Sequence, residues 1–122
     1  MVEPTFADYV DLLCALFERF WQHHTARPHR GHPFVYDYKA LIVFFVLMQQ
    51  RRIFRFKAQR RWLKCHPDRQ QVLGLDEVPH RTTLSRRYKA LYAVVQDFIV
   101  FLGQYAEDLD PRFTSEDLQR RK

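Results

Sequence analysis

Six apolar residues in the second half of the chain recur at alternating intervals of four and three residues. They are Leu84, Tyr88, Leu91, Val95, Phe98 and Leu102. Residues spaced in this way lie on one face of an α-helix, because the helix turns by about 100° per residue. The pattern lasts for about five turns. It predicts one long amphipathic helix that has Thr82 or Thr83 as its N-cap and ends between residues 103 and 108.

Three more segments have helical patterns. Apolar residues from Phe6 to Phe20 are spaced by four and three, and they predict a first helix that opens at Pro4 or Thr5. The uncharged block from Ala40 to Met48 predicts a second, buried helix with Asp37 as its N-cap. Residues 54–65 predict a third helix, and a short helical turn over residues 68–73 is expected to end at Gly74.

No segment with the period of a β-strand competes with these helices. The chain is therefore predicted to be all-α, a compact bundle of about four to five helices. One domain is expected over residues 1–110, followed by a polar tail over residues 111–122, since a chain of 122 residues is the usual size for a single core.

Positive charge is concentrated in the middle of the chain. The net charge of the whole chain is +6, whereas residues 51–89 hold twelve Lys and Arg against three Asp and Glu, or +9, and the rest of the chain is −3. Such a concentration is typical of proteins that bind a polyanion, most often nucleic acid. The alternative is an ordinary solvated basic surface.

The turn at Gly74 and the start of the last helix suggest a helix-turn-helix-like unit, in which the second helix enters the DNA major groove. Its candidate contacts to bases and adjacent phosphates are Arg81, Thr82, Ser85, Arg86 and Lys89. Thr83 and Arg87 are expected to cap the helix or touch phosphate. The alternative is an amphipathic helix with a merely cationic exterior.

A basic helix over residues 51–64 is the second candidate DNA-binding element. It would supply phosphate contacts independent of sequence through Arg55, Lys57, Arg60, Arg61 and Lys64. The aromatic residues of this segment, Phe54, Phe56 and Trp62, could stack on bases. Their helical spacing favours the hydrophobic core instead, so no stacking is predicted.

No catalytic or metal-binding residue is predicted. The loop histidines His23, His24, His29 and His32 lack metal-ligand spacing, and Cys65-His66 is isolated. The acidic residues Asp108, Asp110, Glu116 and Asp117 belong to a polar end segment with no scaffold after them. No nucleophile or phosphate-loop motif occurs. The chain is therefore expected to need no cofactor and not to be an enzyme.

The same sequence gives expectations about location. Its longest uncharged apolar stretch is nine residues, whereas a bilayer-spanning helix needs about 20, so no membrane segment is predicted. The N-terminus lacks the features of a signal peptide. Cys14 and Cys65 do not suggest a disulfide framework. A cytoplasmic protein is expected.

Residues 75–92, LDEVPHRTTLSRRYKALY, resemble the N-terminal region of bacterial insertion-sequence transposases of the DDE type. The string from Pro79 to Lys89 is the most specific part, and the similarity covers roughly residues 35–113. The resemblance implies a helical, helix-turn-helix-like DNA-binding domain that recognises the inverted repeats at transposon ends. In that family an RNase H-like domain with two Asp and one Glu follows. No carboxylate here matches those positions, which implies a truncated gene, a split product or the N-terminal part of a longer protein.

Two further interpretations remain open. The chain could be a helical interaction module, in which the apolar face of the last helix or the Ala40–Met48 block docks on a missing catalytic domain or on a second copy. It could also be a freestanding helix-turn-helix regulator.

Overall fold

A computed structural model of the chain describes residues 5–25 and 38–109, and the regular structure within them is entirely α-helical. The helices are α1 (Phe6–Thr25), α2 (Lys39–Gln50), α3 (Phe56–Cys65), α4 (Pro67–Leu73) and α5 (Arg81–Leu109). The predicted all-α bundle of four to five helices is confirmed. In these two ranges, no helix combines the length and apolarity that a bilayer crossing requires.

Helix α2 forms the centre of the bundle. Every residue from Leu41 to Met48 is buried, and α2 contacts α1, α4 and α5. A helix surrounded in this way has no polar face, which explains why its sequence is apolar all round rather than amphipathic.

Helix α5 spans 29 residues, or roughly 43 Å, and lies across the bundle. Of its predicted apolar face, four residues are fully buried and the other two are half-buried. The ring of Phe98 packs against Phe17 and Phe20 of α1, with centroids 5.3 Å apart in both pairs. The predicted helix and its inward face are confirmed, and the helix continues through Gly103 to Leu109.

The N-terminus of α1 is capped by a reciprocal pair of hydrogen bonds. The backbone N–H of Asp8 donates to Thr5 Oγ1 at 3.1 Å, and the N–H of Thr5 donates to Asp8 Oδ2 at 3.0 Å. This arrangement satisfies two N–H groups that a helix start leaves without partners. Thr5 is therefore the cap, as predicted; Pro4 lies outside the described residues.

Two other predicted N-caps differ from the structure. Tyr38 occupies the N-cap position of α2, which begins at Lys39, and the expected cap Asp37 lies outside the described residues. Helix α5 begins at Arg81, so Thr82 and Thr83 lie within its first turn and cap nothing. The carbonyl of His80 accepts the first helical hydrogen bond, from Leu84 N–H at 2.9 Å.

The basic helix is shorter than expected, because α2 ends in a turn that uses residues 51–53. Arg52 has a left-handed φ of 61°. Its N–H donates to the carbonyl of Gln49 at 3.0 Å, and the N–H of Ile53 donates to that of Met48 at 2.8 Å. This pair of bonds defines a Schellman helix end. Arg55 then occupies the N-cap position of α3.

The two cysteines differ in burial, and we expect them to differ in reactivity. Cys65 is exposed, whereas Cys14 is half-buried. Burial raises the pKa of the Cys14 thiol, and Asp11 and Glu18 act in the same direction against the opposing charge of Lys39. The nucleophile is the thiolate, so Cys65 should react with iodoacetamide at pH 8 several-fold faster than Cys14 (about 3- to 10-fold). Mass spectrometry of the Cys14→Ser and Cys65→Ser variants measures each rate separately. Equal rates would contradict the burial of Cys14.

Candidate nucleic-acid interface

The outward face of α3 and the start of α5 form the two sides of a basic groove with a volume of about 330 Å³. We call it the cationic groove. It is lined by Lys57, Arg60, Arg61, Lys64, His80 and Arg81. Five of these were predicted as DNA contacts from two separate segments, and the fold places them side by side.

The charge of the cationic groove is not neutralised from within the described part of the chain. No carboxylate there forms an ion pair with the five Lys and Arg residues. The Nε of Arg60 is buried and has no hydrogen-bond partner among the described residues. Like charges brought together repel one another, and that cost falls when an anion binds between them. The groove therefore favours a ligand with closely spaced negative charges.

Helix α3 presents its cations on one side because its other side is part of the core. Gln59, Trp62 and Leu63 are buried, while Lys57, Arg61 and Lys64 are exposed on the opposite face. The helical spacing predicted the inward position of Trp62. Lys and Arg at these positions keep their charged ends in water while their carbon chains cover the bundle.

The N-terminus of α5 contributes His80 and Arg81 to the same groove. The Nδ1 atom of His80 lies 3.0 Å from Thr82 Oγ1 and accepts a long, 3.4 Å hydrogen bond from Thr82 N–H. A helix start carries free N–H groups and a partial positive charge, both of which attract phosphate. His80 was not predicted from the sequence, although it lies directly after Pro79 and before the basic start of the helix.

The remaining predicted residues of α5 divide between two sides of the helix. Thr82, Arg86 and Lys89 are exposed, and Ser85 is half-buried beside them. Lys89 and Ser85 also line a second, more apolar cavity.

Thr83 and Arg87 lie on another side of α5, where they line a hollow with Tyr38. The Arg87 Cζ atom lies 4.5 Å from the centroid of the Tyr38 ring, which is the geometry of a cation–π interaction. Neither residue lines the cationic groove. Arg55, exposed just before α3, does not line it either.

One predicted core residue is on the surface. Trp62 is buried and Phe56 is half-buried, but Phe54 is 64% exposed. The expectation that all three aromatic residues belong to the core was wrong for Phe54, because α3 begins two residues after it. The helical spacing used for that prediction does not apply before the helix starts.

The helix-turn-helix-like unit is not confirmed. Gly74 ends α4 with a left-handed φ of 83°, as predicted. However, residues 74–80 separate α4 from α5, which is longer than the three- or four-residue turn of that motif. Helix α4 contacts chiefly α1, α3 and α2, and α5 contacts chiefly α2, α3 and α1, so α4 and α5 are not one of the main helix pairs.

No metal-binding residue was predicted from the sequence. In residues 5–25 and 38–109, no three His, Cys, Asp or Glu side chains are grouped to hold a metal ion. His23 is exposed on α1. The other loop histidines and the acidic residues from Asp108 onward have side chains outside the described set.

Comparison of the chain with protein-family models, curated proteins and solved structures finds no match. The resemblance of residues 75–92 to transposase N-terminal regions therefore stays a prediction.

Proposed function

We propose that the protein binds double-stranded DNA through the cationic groove and the exposed face of the first turns of α5. The observation that carries this proposal is the groove itself. Two elements distant in sequence bring five cations together, and no carboxylate in the described residues neutralises them. A DNA backbone supplies the evenly spaced negative charges that such a surface favours.

The two parts of this surface would have different tasks. Phosphates would bind in the groove between α3 and α5, which fixes the orientation of the protein on the duplex. Thr82, Arg86 and Lys89 project from α5 itself, and the major groove is wide enough for an α-helix. Arg86 would then donate to guanine, which accepts two hydrogen bonds from one guanidinium.

The resemblance of residues 75–92 leads to a more specific proposal, that the ligand is the inverted repeat at a transposon end. The chain would then be the recognition part of a transposase and would not itself cleave DNA. Selection of bound duplexes from a random pool tests this proposal. A selected sequence that recurs as inverted repeats on both sides of the gene would support it; a site at a promoter would favour the freestanding regulator.

The alternative of a helical interaction module now requires a different surface. The apolar face of α5 and the Leu41–Met48 block both lie in the core of this chain and are not available to a partner. Light scattering after size-exclusion chromatography tests for a second copy. A dimer that persists at high salt and has no affinity for DNA at about 100 mM salt would favour this alternative.

Arg86→Ala and Lys57→Ala should weaken DNA binding in different ways. Loss of a base contact by Arg86→Ala should cost about 1–3 kcal/mol on the selected sequence and reduce its preference over scrambled DNA. Loss of a phosphate contact by Lys57→Ala should weaken binding to both sequences equally. It should also reduce the slope of log K against log salt by about one. Fluorescence anisotropy with both duplexes at several salt concentrations measures these effects.

Each variant is the control for the other, since both remove one exposed cation. An Arg86→Ala protein that still distinguishes the selected sequence from the scrambled one as the parent does would exclude Arg86 from base recognition. A wild-type protein with no affinity for any duplex at low salt would overturn the proposed function.

A further inference from the structure

Phe54 is the most exposed large hydrophobic residue described, and it directly follows a residue that two hydrogen bonds hold in place. The N–H of Ile53 donates to the carbonyl of Met48 at 2.8 Å. The carbonyl of Ile53 accepts from Nε2 of the buried Gln59 at 3.0 Å. The ring is therefore presented to solvent by a fixed turn, and in the described part of the chain it has no aromatic partner.

Phe54 borders a cavity of about 420 Å³ between the start of α3 and α5. Its other aromatic walls are Phe45, Phe56 and Tyr88. The Tyr88 ring is fixed between the two phenylalanines, at centroid distances of 5.1 Å from Phe45 and 5.8 Å from Phe56. Its hydroxyl accepts a hydrogen bond from Gln49 Nε2 at 2.8 Å. Such a cavity accepts a flat apolar group without having to rearrange.

The α5 side of this cavity is polar and positively charged. Ser85 and Lys89 line it, and Lys89 also belongs to the surface that we propose for DNA. The cavity thus combines aromatic walls with a cation beside them. The ligand that fits this combination is a planar base attached to a phosphate.

We propose that this cavity receives an unpaired nucleobase of the bound DNA. The base stacks on Phe54, and Lys89 binds the adjoining phosphate. The inference rests on the proposed DNA binding, and it makes that function more specific. The preferred DNA would be a duplex in which one base is unpaired or displaced, because taking a base out of an intact stack costs a few kcal/mol.

The test compares two duplexes of the same sequence, one fully paired and one with a single unpaired base. Wild-type protein should bind the second more tightly. Phe54→Ala should lose roughly 5- to 150-fold in affinity for it, the range measured when one base-stacking aromatic residue is removed. Phe54→Trp should keep the affinity, and neither change should alter the salt slope, since no charge is lost.

Val100→Ala is the matched control, because Val100 is 60% exposed on the later part of α5. It should leave affinity for both duplexes unchanged. Phe54→Ala and Val100→Ala should both keep the wild-type circular dichroism spectrum, since neither side chain is in the core.

The outcomes separate this inference from the function on which it rests. If the wild-type protein binds neither duplex, the proposed function fails. If it binds both and Phe54→Ala is unchanged, or loses affinity equally for the two, the base site is wrong while DNA binding stands. Competition by a free nucleoside monophosphate at micromolar concentration would also overturn it, by showing a small-molecule site instead.

Discussion

Phe98→Ala is expected to lower the free energy of unfolding by about 3–5 kcal/mol, as large-to-small changes at buried aromatic residues do. Phe98 has no exposed surface. Its ring contacts Phe17 and Phe20, and it therefore joins α5 to α1. Alanine would leave a cavity between the two helices that the surrounding side chains cannot fill. Domains of this size have a total stability of about 5–15 kcal/mol, so the loss is a large fraction of it.

Urea unfolding followed by circular dichroism measures this change. The midpoint should fall while the slope stays close to the wild-type value, because the folded state keeps its compactness. Val100→Ala again provides the control, because Val100 is two residues away on the same helix but is exposed. This substitution should change the free energy of unfolding by no more than about 0.5 kcal/mol. A Phe98→Ala protein as stable as the control would show that α5 does not pack on α1 through this face.

The long helix was predictable from sequence because its pattern is local. The intervals between Leu84 and Leu102 determine which side of the helix is apolar, and burial follows from that. The start of the helix was not predictable in the same way. Thr82 and Thr83 are both good caps by type, but the first helical hydrogen bond goes to the carbonyl of His80, directly after Pro79. Cap-forming residue types indicate that a helix starts nearby, but they do not determine which residue is its first.

The candidate site was only partly predictable, because it depends on which helices are neighbours. The periodicity of α3 shows which cations point outward, yet nothing in the sequence places them beside Arg81. The number of Lys and Arg in residues 51–89 is also larger than the number of cations that the binding surface contains. Arg51 and Arg69 lie over the Trp62 ring, with Cζ atoms 5.6 and 5.7 Å from its centroid, and so cover the core.

The exposure of Phe54 has the same kind of origin. Whether its ring is buried depends on where α2 ends, and that end requires a left-handed residue at Arg52. Glycine or asparagine usually marks such a position. An arginine there gives no signal, so the short turn and the outward phenylalanine appear only in the folded chain.

Reversing two charges in the cationic groove should weaken DNA binding much more than removing one phosphate contact does. Arg61 and Lys64 are both exposed, so replacing them by Glu should leave the bundle folded. At 0.1 M salt each phosphate contact contributes about 1.2 kcal/mol through counterion release. Loss of two contacts, together with repulsion from the two new carboxylates, should weaken binding roughly 100-fold or more for every duplex. The slope of log K against log salt should become less steep by about two.

Arg19→Glu tests whether this loss is a local effect or a consequence of net charge. The Arg19 Cζ atom lies 5.6 Å from the ring of Tyr105, which is about 36 Å along α5 from Arg81 at 1.5 Å per residue. Interactions across that distance are screened at 0.1 M salt, where the Debye length is about 10 Å. Arg19→Glu changes the net charge half as much as the double reversal, and its affinity should stay within about twofold of wild type. If Arg19→Glu instead loses affinity in proportion to its change in net charge, DNA is attracted by the net charge of the whole protein. The cationic groove is then not the binding site. A loss confined to the Arg61→Glu, Lys64→Glu protein would place the DNA backbone between α3 and the start of α5.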